Sequence, residues 1–166
     1  MRVFALFFFV FTIFPVSAES FKIGYINTEM VINNLTLYKQ GKNDITKEFE
    51  SKKQELLDLL NHIELVKDNL SKNNQSLNEN ELQLELNRIE KLESSFQKET
   101  EYWQSQINQK QISLLQKVEI IINNTVKEIA LSEAYDLILY ENAAYVSDNI
   151  DISNKIISKI EGKNLW

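Results

Sequence analysis

Residues 44–132 carry apolar side chains at helical spacing and contain neither proline nor glycine. Phe49, Leu56, Ile63, Leu70 and Leu77 fall seven apart, joined by Ile45, Leu59 and Val66, the stripe of an amphipathic helix. From Leu82 through Phe96, Trp103 and Leu114 to Ile129, apolar residues recur mostly three or four apart and predict a second helix. Between the two, residues 71–80 (SKNNQSLNEN) keep only Leu77 apolar. Ser76 with Glu79, and Asn78 with Glu81, both have capping-box spacing, so a new helix starts near residue 78. The pattern predicts an antiparallel helical hairpin over residues 44–132, with its tip near 71–78. A return arm over residues 79–132 is roughly 80 Å long at ~1.5 Å per residue.

The flanking segments follow another period. Phe21, Ile23 and Tyr25 alternate with Lys22, Gly24 and Ile26, which predicts a short strand. Asn27 or Thr28 then caps a helix bearing Met30, Val31, Leu35 and Tyr38, and Gly41 is expected to mark a kink or short loop before the arm. Past the hairpin, residues 135–140 (YDLILY) are rich in β-forming side chains. Glu141 and Asn142 suit a turn, and residues 143–147 (AAYVS) are expected to return as the next strand. Asp148, Asn149 and Asp151 form a polar loop, Ile152 adds a short pairing, and Ser153 caps a last helix with Ile156, Ile157 and Ile160 inward.

The expected fold class is α+β: a small β body, drawn from residues 19–43 and 133–166, with the long helical hairpin inserted between its halves. A few short strands and one terminal helix bury too little apolar surface for an independent domain. The body is therefore expected to associate with copies of itself around an axis. Ile23, Tyr25, Leu137, Leu139 and Val146 are the apolar residues available to such a shared core.

The first eighteen residues stand apart. Arg2 precedes an apolar run over residues 3–14, then Pro15, Val16, Ser17 and Ala18. This reads as a secretory signal cleaved after Ala18, and a run of about a dozen falls short of the ~20 apolar residues that span a bilayer. Without Arg2 the formal charge moves from −6 to −7, with 17 basic side chains facing 24 acidic ones. An acidic exported chain is poorly suited to nucleic acid. The absence of cysteine removes disulfides and thiolate metal sites.

Candidate chemistry is sparse, and the chain does not read as an enzyme. His62, the only histidine, sits on the first arm as a solvated helix residue. Glu79, Glu81, Glu85, Glu90 and Glu93 interleave with Arg88 and Lys91 as on a solvated helix face. No phosphate loop, nucleophile elbow or HExxH motif occurs, and no cofactor is implied. Four asparagines match the glycosylation pattern, which chance explains in a chain so rich in asparagine. The arm aromatics Phe49, Phe96 and Trp103 lie on the stripe and Tyr102 flanks it; hairpin packing accounts for the first three, and all four are candidate contacts for a bound chain. Lys52, Glu93, Thr100 and Lys110 interrupt the heptad positions, so the seam is weaker than a dedicated coiled coil.

Several stretches in fixed order resemble one family. Residues 22–27 (KIGYIN) are similar to its first strand, and residues 45–63 (ITKEFESKKQELLDLLNHI) to the start of its first arm. Residues 126–139 (VKEIALSEAYDLIL), then Ala144-Tyr145-Val146, then Asp151-Ile152-Ser153 with Ile156 and Ile157, are similar to its run from return helix through two strands to a capped last helix. The chain thus resembles the periplasmic chaperones of the Skp/OmpH type over nearly all of residues 19–166. The resemblance implies a homotrimer with a barrel-like body and three hairpins around a cavity. That cavity holds unfolded outer-membrane proteins in the periplasm without ATP, with transient contact to the membrane surface as a further expectation. Two departures stand out: Ala134 occupies a position where many members have glycine, and the chain is acidic where many members are basic. The alternative is a structural coiled-coil protein or a single-partner adaptor of the cell envelope. The terminal strands favour the chaperone, because a plain spacer has no need of an oligomerising body.

Overall fold

The structure, a computed structural model, describes residues 21–140 and 143–163. The expected signal and the expected turn at Glu141 and Asn142 lie outside those residues. Strand β1 (Ile23–Ile26) opens the fold, followed by helix α1 (Thr28–Asn34) and the long helix α2 (Thr36–Asn73). A single 3-10 turn (Asn74–Ser76) reverses the chain into α3 (Glu79–Ser132), and strand β2 (Leu137–Tyr140) and helix α4 (Ser153–Glu161) complete it.

Asn27 caps α1, its side-chain oxygen accepting from Met30 N at 2.9 Å. The helix then breaks at Leu35, which turns to extended backbone (φ −68°, ψ 128°) and is fully buried. Tertiary burial of that side chain sets the break, and α2 restarts at once with Thr36 N donating to Glu161 Oε1 at 2.8 Å. The kink or loop expected at Gly41 is not formed, since α2 runs straight through it. The glycine serves packing instead: a Cβ built there meets Leu114 Cδ1 at 2.5 Å, so its bare Cα lets α2 approach α3 closely.

At the tip, the reciprocal capping box forms between Asn78 and Glu81, with Asn78 Oδ1 accepting from Glu81 N at 3.0 Å and Glu81 Oε2 from Asn78 N at 2.9 Å. Ser76 instead donates its hydroxyl to Asn73 O at 2.7 Å. The return helix then runs for 54 residues without interruption, about 80 Å.

The two strands, from opposite ends of the chain, pair in parallel with Ile23 opposite Leu137 and Tyr25 opposite Leu139. On the inner face, Gly24 and Ile26 are buried and Ile138 packs on the core. That core joins Ile26, Val31 and Leu35 to Val118, Ile122, Val126 and Ile129 at the base of α3 and to Ile152, Ile156 and Ile160 around α4.

Two expectations are corrected here. Residues 143–147 are irregular rather than a strand, and among the described residues the sheet has two strands. The second edge of β1 is already taken, because Tyr25 N donates to Ile150 O at 2.8 Å and Tyr25 O accepts from Ile152 N at 2.9 Å. Ser153 does not cap α4 with its side chain either: its hydroxyl accepts from Asn27 N at 2.9 Å, tying α4 to the start of α1. The Asp151 carboxylate takes up Ser153 N at 2.8 Å in its place.

Candidate functional site

The hairpin is the largest feature of the molecule, and its seam is built from few fully buried residues. Leu56, Ile63 and Ile89 are buried, while Phe49, Phe96 and Trp103 are half-buried between the helices. Trp103 Nε1 donates to Phe49 O at 3.4 Å, linking the two arms through a long hydrogen bond. Tyr102 is 67 % exposed and turns away from the seam, and His62 is exposed as expected.

The polar residues that interrupt the heptads find partners across the seam. Lys110 pairs with Glu48 at 2.9 Å, Lys52 with Glu99 at 2.7 Å, and Lys67 with Glu93. The hydrogen bond from Lys52, followed by its charge, holds the Glu99 carboxyl below its ordinary range, and hydrogen bonds to Glu99 and then Glu55 hold Lys52 above its own. Three such pairs along the arms fix register more than they add stability, because ion pairs this exposed are screened by solvent and salt. Thr100 keeps its interrupting character: its Oγ1 is buried without a protein partner among the described residues, which loosens the seam locally.

Open apolar depressions follow the seam and join one another. One lies between Tyr38, Ile112 and Leu115. The next has Ile45, Phe49, Trp103 and Ile107 as its half-buried floor and Lys42, Glu50, Lys53 and Gln111 as its exposed rim. A third is lined by Leu56, Leu57, Leu60, Phe96 and Thr100. Lys42 and Gln111 border the first and second, and Lys53 and Trp103 border the second and third, so the three are contiguous. The central one encloses about 210 Å³, less than the pockets that bury a whole small molecule. It suits one or two side chains of a larger partner. Of the four aromatic candidates, Phe49, Phe96 and Trp103 line this groove and Tyr102 does not. The rim lysines Lys42 and Lys53 were not legible in the sequence, because nothing in a helical period tells which flank of a stripe the partner helix leaves open.

The second surface is the outer face of the sheet. Ile23 and Tyr25 are half-buried there, beside Leu137 and Leu139, which are 42 % and 44 % exposed. The parallel register brings these four together on one face. Val146 is half-buried in the irregular segment that follows β2.

A long hairpin projecting from a small two-stranded body narrows the choice of family, and comparison decides it. A model of the family described as outer membrane protein (OmpH-like) matches residues 22–160. The chain belongs to the OmpH-like family. The OmpH-like fold is also that of a crystal structure from Caulobacter crescentus CB15, described as an OmpH-like outer membrane chaperone. The two superpose with a TM-score of 0.75 at 10 % identity, over 88 % of this chain and 87 % of that one. At that identity the likeness concerns the fold. No curated protein matches the chain. Among the described residues, no helix of this OmpH-like chain is long and apolar enough to cross a membrane, and no group of acidic, histidine or cysteine residues is arranged to hold a metal.

Proposed function

We propose that this OmpH-like protein is a non-enzymatic, ATP-independent holdase of the periplasm, exported by its N-terminal signal. In this reading it works as a homotrimer and shelters unfolded outer-membrane proteins between its helical arms. The observation that carries the reading is the outer face of the sheet, where Leu137 and Leu139 stand open beside Ile23 and Tyr25 on one apolar face. An apolar face on so small a body calls for a cover, and copies of the chain supply it by stacking the same face around an axis. The arms then project side by side, and their grooves border a common space. A spacer or single-partner adaptor needs arms of this length but gains nothing from such a face.

Clients are held in that space by many small burials of apolar area at ~25 cal/mol per Å², each shallow and replaceable. The test is aggregation of a denatured outer-membrane barrel protein diluted into buffer with the chaperone and without nucleotide. Protection is expected at one trimer per client. Phe49→Ala, Phe96→Ala, Tyr102→Ala and Trp103→Ala should each weaken it by about threefold or less, because no single residue of a distributed surface dominates. Removing residues 63–89, which shortens both arms, should abolish most of it. Full protection by the shortened protein would make the arms spacers and transfer the reading to the adaptor.

A further inference from the structure

We infer that the groove around Trp103 is a charge-selective subsite, preferring extended client segments that carry carboxylates about four residues apart on either side of an apolar residue. The inference rests on the holdase reading above and adds the class of segment that the arms select. The chain as a whole is acidic, with a formal charge of −6, and taken alone that charge repels acidic segments. The groove reverses the sign locally. Lys42 stands where the central depression meets the first, and Lys53 where it meets the third, so the aromatic floor has a lysine at each end.

Both lysines are exposed and available. Lys42 Nζ lies 5.4 Å from the centre of the Tyr38 ring and makes no ion pair among the described residues. Among the described residues Lys53 makes one ion pair, with Glu50 at 3.5 Å, an exposed pair within one helical turn that is easily exchanged. Glu50, the one acid on this rim, is itself engaged by Gln54 Nε2 at 3.1 Å. The facing wall from α3 presents the neutral amide of Gln111.

Geometry sets the spacing. Lys42 and Lys53 are separated by about three helical turns, roughly 16 Å along the axis. Successive side chains of an extended chain point to opposite sides, so two that face one groove stand an even number of residues apart. Four residues span about 13 Å at ~3.3 Å each, and the flexible lysine stems close the rest. The apolar side chain midway between two such carboxylates then lies over Phe49 and Trp103. Screening confines the effect to contact range at physiological salt, so the lysines choose among segments already at the groove.

Trp103 reports on its own groove. The chain has two tryptophans, Trp103 and Trp166, and Trp166→Phe leaves the first as the only emitter. The mature Trp166→Phe protein is titrated at low salt with three synthetic peptides of identical apolar residues. One carries aspartates four apart, one carries lysines at those places, and one carries both aspartates side by side at one end. The four-apart aspartate peptide is expected to bind about tenfold more tightly than the lysine peptide, the sum of two exposed ion pairs, and more tightly than the clustered one. The preference should vanish in Lys42→Gln/Lys53→Gln and invert in Lys42→Glu/Lys53→Glu; circular dichroism confirms helicity in each, and the neutral pair decides if the reversed pair loses it. Equal affinity for the aspartate and lysine peptides, or a preference that survives charge reversal, overturns the inference, and equal affinity for the two aspartate peptides overturns the spacing. Failure to protect a denatured barrel protein at all rejects the holdase reading instead, whereas protection without charge preference at Trp103 leaves that reading standing and removes this one.

Discussion

Ala134 occupies a backbone conformation that its side chain opposes. Its φ is 52°, the only positive value at a non-glycine position among the described residues, and an L-residue there is strained by roughly 1 kcal/mol. The conformation is imposed from outside. Glu133 ends α3 with its N–H on Ile129 O, Tyr135 N reaches back to Ala130 O at 3.0 Å, and Asp136 N pairs with Lys22 O at 2.9 Å. Lys22 Nζ donates to Glu133 O at 2.7 Å and lies 4.0 Å from the Tyr135 ring centre, a cation at the negative end of a long helix. These contacts hold the turn that feeds β2, so the strain persists. Ala134→Gly is therefore expected to raise stability by a few tenths of a kcal/mol, up to about 0.6, the strain relieved less the extra freedom glycine gives the unfolded chain. Urea denaturation measures it, and a destabilised variant would contradict the strain. The departure at residue 134 was legible in the sequence, but its φ was not, since it depends on where Lys22 and Asp136 meet. Gly41 shows the converse: read as a break, it proved to be a point of close approach, because the partner side chain, Leu114, is distant in sequence.

The elements divide by how local their causes are. Both arms and the capped turn between them were legible, since periodicity and the Asn78–Glu81 box are short-range signals. The returning strand over residues 143–147 is not formed, and the third pairing comes instead from residues 150–152 on the second edge of β1, a contact distant in sequence. The hairpin seam lies between these cases: its interruptions were visible, but the pairing of Lys52 with Glu99 and of Lys110 with Glu48 depends on register. Four lowered carboxyls give the protein a pH response. Glu50, Glu99, Glu128 and Glu133 all have carboxyls held below the ordinary value of 4.5, first by hydrogen bonds to Gln54, Lys52, Lys163 and Lys155 respectively. A depressed folded pKa contributes stability above the unfolded value and loses it as pH falls through the folded one. The melting temperature should accordingly hold from neutral pH down to about 5 and decline below about 4.5. Glu99→Gln should melt lower at pH 7 and decline less steeply in acid. Parallel curves for the two proteins would show that the Lys52–Glu99 pair contributes nothing to the response.

At the scale of the whole molecule, the body and the arms obey different rules of assembly. The arms pair with each other within one chain, with Leu56, Ile63 and Ile89 buried in their own seam. The body satisfies only its inner face, and the outer one remains apolar and open at Leu137 and Leu139. If trimers form, the sheet should hold them together. Leu139→Asp tests this at a position already 44 % exposed in the single chain, so the folded chain should tolerate the carboxylate. In an assembled core the same carboxylate is an unpaired charge in apolar surroundings, costing several kcal/mol. Each 1.4 kcal/mol is a tenfold loss in association, enough in sum to shift the protein to monomers at micromolar concentration. Light scattering reads the mass, and circular dichroism confirms that the helices survive. The opposite variant removes residues 56–96 and leaves the body intact; it should remain trimeric. Should that deletion yield monomers while Leu139→Asp stays assembled, the arms hold the oligomer and the sheet's open face has some other partner.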